Sequence, residues 1–211
     1  MIVFVFFCVA QYQPILSIRY VRSARARRIQ KWMPMKIEYE IIQNEQLDDP
    51  IRDVFATLLR KQGKVQGDFS KKADRCKIVG IARFDGTAVA IGGIKKKTES
   101  DFSNEKAGIP DLAKAFDWEL GYLYTEADQC GRGIASTLAR LLVDAYGPGN
   151  LMASTEIAAN PAMVRILEKL GFRLFGKPWT SGIHDNYLGL FLNFQGNSRG
   201  PLGSIIEERR R

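Results

Sequence analysis

Apolar and polar positions follow two rhythms along this chain, one of period two and one near 3.6 residues, and their succession predicts a mixed fold. Residues 35–42 alternate as a strand. Asp49-Pro50 opens a helix with proline at its first position and Ile51, Val54, Phe55, Leu58 and Leu59 on one side. Residues 77–84 and 87–94 read as strands joined by the hairpin signal Asp85-Gly86. Lys95, Lys96 and Lys97 then read as a solvated face. Residues 98–117 form a long polar connection with a helical turn after Pro110, and loops of that length often carry function.

The most patterned part is 118–172. Residues 118–125 are rich in aromatic and aliphatic side chains and read as a strand. After a glycine-bearing turn, Ile134, Leu138, Leu141, Leu142 and Ala145 recur at helical spacing, up to Gly147-Pro148-Gly149. A short strand at 151–155 precedes Asn160-Pro161, a cap-plus-proline start for a helix whose apolar face is Met163, Ile166, Leu167 and Leu170, closed by Gly171. Residues 172–175 and 187–194 are the last strands, separated by a loop from Lys177 to Asn186. The sequence of elements is that of one α/β (α+β) domain whose strands mostly neighbour each other along the chain.

A strand, a turn with Gly131 and Gly133, and a helix start make an anion site. The first helical amides have no partner inside the helix, the dipole adds partial positive charge, and glycine lets backbone approach a ligand closely. Cys130-Gly131-Arg132-Gly133-Ile134-Ala135 is neither a P-loop nor a dinucleotide fingerprint, so the bland reading is a tight turn.

Charge changes the picture less than its total suggests. The net charge of +8 lies entirely in the ends: six basic residues and no acid before Met35, and a surplus of +2 after Phe194. The part between is neutral and offers no overall basic field for nucleic acid. Residues 1–34 are therefore expected to be a disordered basic extension, 35–194 the folded domain and 195–211 a disordered tail. The apolar start, 1–10, is too short to span a bilayer and its positive charge follows rather than precedes it, so no stable membrane anchoring is expected. The arginine-rich segment before Met35 could instead meet nucleic acid or a membrane surface. Cys8, Cys76 and Cys130 are far apart with no C-x-x-C pair, which argues against zinc and disulfides and suits a reducing compartment. Cys130, beside Arg132 near a helix start, is the one candidate for a reactive thiol.

The run Leu120-Gly121-Tyr122-Leu123-Tyr124-Thr125, the turn at 130–135 with its helix, and Asn160 to Phe172 ending Glu168-Lys169-Leu170-Gly171-Phe172 together resemble the GNAT N-acetyltransferase superfamily. The resemblance covers roughly 35–194 and implies a mixed, mostly antiparallel sheet splayed between its fourth and fifth strands and flanked by helices. It implies acetyl-CoA as cosubstrate, with no metal, and a primary amine of a small molecule or peptide as acceptor, in the cytoplasm. Gly133 and Ala135 match the small residues of the family's phosphate motif, so Gly131, Arg132, Gly133, Ile134, Ala135 and Ser136 would hold the diphosphate. Leu123, Tyr124 and Thr125, with Ser154 and Thr155 opposite, would pair with the pantetheine arm, and Asn160 would add a polar contact. Two positions depart from the family: Cys130 replaces the usual Gln or Arg, and Leu167 stands where many members carry the tyrosine that protonates the leaving thiolate.

The chemistry sets further requirements. An ammonium must lose its proton before attacking a thioester, and a carboxylate acting through water serves. Glu119 is the expected base, placed by two-residue alternation on one face with Gly121, Leu123 and Thr125; the bland alternative is a pair with a lysine. Glu126 and Glu156 are weaker candidates, and His184 is the only histidine, in a polar loop. Solvent, Tyr124 or Tyr187 would supply the last proton. Leu167 also allows a non-catalytic CoA-binding module of the same fold. The acceptor is not legible, and two copies could pair through the last strands as a homodimer.

Overall fold

The computed structural model describes residues 36–183 and 185–195. The expectations for the extension 1–34, for Cys8, for the tail beyond Gln195 and for His184 fall outside these residues. The strands form one seven-stranded sheet, β1 (Ile37–Gln43), β2 (Cys76–Phe84), β3 (Thr87–Lys96), β4 (Trp118–Thr125), β5 (Leu151–Glu156), β6 (Arg173–Thr180) and β7 (Tyr187–Asn193), in the order β1-β2-β3-β4-β5-β7-β6. Every neighbouring pair is antiparallel except β4 and β5, which run parallel. The parallel pair requires a crossover, supplied by helix α2 (Ile134–Tyr146).

Helix α1 (Asp49–Gln62) starts where Asp48 accepts a hydrogen bond from the Ile51 amide and ends at Gly63 in the left-handed region, φ 72°. It lays Phe55, Leu58 and Leu59 on one face of the sheet against Val79, Ile81 and Ile91. Helices α2 and α3 (Pro161–Lys169) cover the other face, with Leu138, Leu142 and Leu167 packed around Ile78, Ile94 and Phe172. The sheet is buried on both faces in its middle, which explains why β2 and β3 read as nearly continuous apolar runs. Gly80 and Gly92 are what let α2 seat so closely. A Cβ on Gly80 would come within 2.8 Å of Leu138 Cδ1, and one on Gly92 within 2.9 Å of Leu142 Cδ1.

Two stretches differ from their sequence pattern. Residues 98–117 are not a polar excursion. Their 3-10 segments Glu99–Phe102 and Pro110–Ala115, with the flanking Ile109 and Phe116, put Phe102, Ile109, Ala113 and Phe116 in a third buried cluster with Met152, Trp179 and Leu190. Strand β6 continues through Lys177, Pro178 and Trp179, which had read as a loop, and its register against β7 slips between Phe175 and Trp179. Proline and a bulge are tolerated there because β6 is an edge strand.

Candidate active site

Strand β4 decides the geometry of the site through a break in its own regularity. Against β5 it pairs only at Trp118↔Leu151 and Glu119↔Met152, after which the strands part. Against β3, Gly121 faces Gly93 and Tyr124 faces Ile91, so Tyr122 and Leu123 together occupy the space opposite one residue. Tyr122 takes the left-handed region at φ 59°, a costly conformation for a bulky side chain. The bulge reverses the alternation. Tyr122 and Tyr124 pack with the α1-side core, whereas Leu120 and Leu123 pack with the α2-side core. Glu119 and Gly121 share the side of Lys95, whose ammonium lies 5.5 Å from the Tyr122 ring centre. The expected common face of Glu119 and Leu123 is therefore corrected, because two-residue alternation holds only in an unbulged strand.

Where β4 and β5 part, a cleft of about 400 Å³ opens, and Leu123, Ser154, Thr155 and Asn160 line it together with Glu119. Glu119 is buried and paired with Lys95, which is itself only 7% exposed. The Thr98 amide and hydroxyl donate to the same carboxylate oxygen, Oε2, at 3.0 and 2.9 Å. The Lys95 ammonium donates to Thr98 Oγ1 as well, at 3.1 Å. Oε1 takes no hydrogen bond among the described residues and lies 3.5 Å from where a side chain on Gly121 would begin. Reading Lys95–Lys97 as one solvated face is thus overturned for Lys95: the β3 register puts it directly beside Glu119. Lys96 lies over the Trp118 ring and Lys97 pairs with Glu99. A buried ion pair is a poor source of stability, because desolvating both charges offsets much of their attraction.

The other candidates are placed less directly. Glu156 is buried, pairs with Lys64 and accepts from Asn186 Nδ2 at 3.0 Å. The Tyr124 hydroxyl donates to Glu126 at 3.0 Å, Glu126 also pairs with Lys61, and neither residue lines the cleft. Burial and that bond to Glu126 push the Tyr124 phenol up. Tyr187 is 62% exposed, and Leu167 is sealed in the core. The residues that sequence reasoning missed are Lys95, Thr98 and Tyr122, the last with its phenol pushed up to about 12 by burial. Strict alternation along β3 could have turned Lys95 inward. Nothing in the sequence marks a bulge at Tyr122.

The glycine turn is exposed and open. Gly131 and Gly133 adopt φ 81° and 76°, and a Cβ on either would touch nothing. Ile134, fully buried, anchors the start of α2. The Thr137 amide closes the first helical bond, to Gly133 O at 2.9 Å. Among the described residues, the amides from Gly131 to Ser136 meet no acceptor, which suits an anion. The Arg132 guanidinium lies over the Phe84 ring, 5.1 Å from its centre. Cys130 is exposed, and its thiol donates weakly to Glu126 O at 3.5 Å. Asn160 caps α3 by accepting from the Met163 amide at 3.2 Å. Gln62 donates to Leu123 O at 2.8 Å, leaving its buried Oε1 without a partner at the cleft.

None of the residues from Cys130 to Ser136 lines the cleft itself. The acetyltransferase (GNAT) family matches residues 39–172. No curated protein matches the chain in sequence. Among solved structures, Escherichia coli ElaA superposes with a TM-score of 0.56 at 10% identity, over 75% of this chain and 99% of that one. Arabidopsis thaliana NAA60, solved with a bisubstrate analogue, gives a TM-score of 0.52 at 16% identity over 75% and 98%. Salmonella typhimurium yncA, solved with its cofactor acetyl-CoA, gives 0.53 at 14% over 79% and 98%. No helix among the described residues is long and apolar enough to cross a membrane.

Proposed function

Because this chain belongs to the acetyltransferase (GNAT) family, we propose that it moves an acetyl group from acetyl-CoA to a primary amine of a small molecule or peptide, by direct attack of the amine on the thioester. Acetyl-CoA supplies the acetyl group in activated form. In this reading amides 131–136 receive the diphosphate, and the pantetheine arm runs along the parted edge of β4 from Leu123, which lines the cleft, past Tyr124 and Thr125, which do not. Ser154 and Thr155 stand opposite that edge, and Asn160 closes it from α3. The observation that carries this reading is the pairing of an unpartnered amide turn with a strand that leaves its neighbour after two residue pairs.

Glu119 is the base in this reading. Lys95 and Thr98 hold Oε2, which leaves Oε1 to accept the ammonium proton through water. A backbone amide at the bulge donates where negative charge gathers on the carbonyl oxygen, and Tyr122's strained backbone holds it there. Solvent returns the last proton, since Leu167 is buried and the Tyr124 hydroxyl is engaged by Glu126. The leading test is thiol release from acetyl-CoA across a panel of amines, with release expected only when an accepted amine is present. Leu167 favours one other reading, a non-catalytic CoA-binding module. Tight acetyl-CoA binding by calorimetry with no amine turned over would select it.

A further inference from the structure

The charges lining the cleft do not cancel, and the remainder sits at one end. Each carboxylate there already has a lysine: Asp101 pairs with Lys106 at 2.8 Å, Glu119 with Lys95, and Glu156 with Lys64. Lys72 and Arg75 also line the cleft, and neither has an ion-pair partner among the described residues. Both belong to the short turns just before β2. The first residue of β2, Cys76, lies opposite Lys95, and Lys95 lies opposite Glu119. The two free cations thus stand beside the Lys95–Glu119 pair. Desolvation, with Arg75 and Lys95 close by, pulls the Lys72 ammonium below its usual range. That is a cluster of like charge in which Glu119 balances Lys95 and Asp68 only partly offsets the charge on Lys72.

These cations are too far from the glycine turn to serve the same anion. Glu119 and Thr125 lie towards opposite ends of strand β4, opposite Lys95 and Ala90 of β3 and so about 17 Å apart at the usual strand rise. The turn follows Thr125, and Lys72 and Arg75 are at the Glu119 end. Resting on the acetyl-transfer reading above, we infer that the acceptor amine also bears a carboxylate, received by Lys72 and Arg75 while Glu119 faces its amine. An ammonium point charge beside a planar guanidinium fork suits a carboxylate better than a neutral group. The acceptor class is therefore an amino acid or a peptide with an acid near its amine, rather than a polyamine.

The test measures kcat/KM for a panel of L-amino acids, each matched to its carboxamide, with a phosphate-bearing amine as a further arm. The acid of the best pair is expected to exceed its amide about tenfold. In the double variant Lys72→Met/Arg75→Met the ratio should fall to about one, and the conservative Lys72→Arg should keep it above about threefold. Equal or better use of amides, preference for the phosphate, or a ratio that survives the double variant would overturn the inference. If no amine is acetylated, the transfer reading fails separately. Calorimetry of the same acid and amide pairs on the acetyl-CoA-loaded protein then decides this point, and equal affinity sinks it.

Discussion

The two halves of the site are made of different material. The turn at Gly131–Ser136 is backbone: two glycines in the left-handed region, a buried Ile134 for anchorage, and amides with no acceptor among the described residues. The cluster at Glu119 is side chain: a buried carboxylate from β4, a buried ammonium from β3 and a half-buried hydroxyl from the connection after it. A backbone site tolerates many side chains and depends on conformation. A side-chain site depends on each member, because removing one strands the charge of another. The two regions should therefore fail in different ways.

The sharpest break is Glu119→Gln. It keeps the shape, removes the proposed base and leaves Lys95 without its counter-charge. The expected loss is about 10²–10⁴ in kcat/KM, the range of general base catalysis, with acetyl-CoA affinity by calorimetry unchanged within about threefold. A loss of thermal stability follows from the stranded Lys95 charge alone, but if acetyl-CoA affinity falls as far as activity does, the pair is structural and the contrast dissolves.

Alkali should single out the same region. Burial pushes the Cys76 thiol, which lies behind the cluster, up to about 12, and the Tyr122 phenol up to about 12. Both are neutral acids with raised folded values, so the unfolded chain releases their protons first. Their contribution is complete below pH about 9 and declines as pH rises through about 12. Denaturant unfolding should show stability dropping by a few kcal/mol across that window. Cys76→Ala should start less stable at neutral pH yet lose less on going to pH 11. A parallel decline in both proteins would show that neither burial nor position at Cys76 matters to the titration.

The same contrast explains what could be read in advance. Ile134, Leu138 and Leu142 mark α2, Asn160-Pro161 marks α3, and the glycines between them mark the turn, because each signal is local in sequence. The hairpin at Asp85-Gly86 was legible for the same reason, both residues having positive φ. The Glu119 cluster was only half legible. Its members come from residues 95, 98 and 119, and only the β3–β4 register brings them together. Tyr122 was hidden because an aromatic residue in the left-handed region has no local signature; the sheet around it imposes that strain. The core of residues 98–117 was misread because Phe102 and Phe116 are too widely spaced to show a period.

The smallest predicted effects come from the turn, and they test whether it is backbone after all. Gly133→Ala places a Cβ where nothing would touch it, so any harm comes from the φ of 76° alone. A left-handed alanine costs about 1–2 kcal/mol. If that cost falls on the bound conformation, acetyl-CoA affinity by calorimetry should weaken about tenfold with little change in kcat. Arg132→Ala removes a full charge one residue earlier, yet the guanidinium rests on Phe84 and the amides stay where they are. Its affinity should stay within about threefold of the parent. A reversal, with Arg132→Ala the more damaging, would mean that a side chain carries the diphosphate, and the turn would then resemble the Glu119 cluster in the one property that separates them.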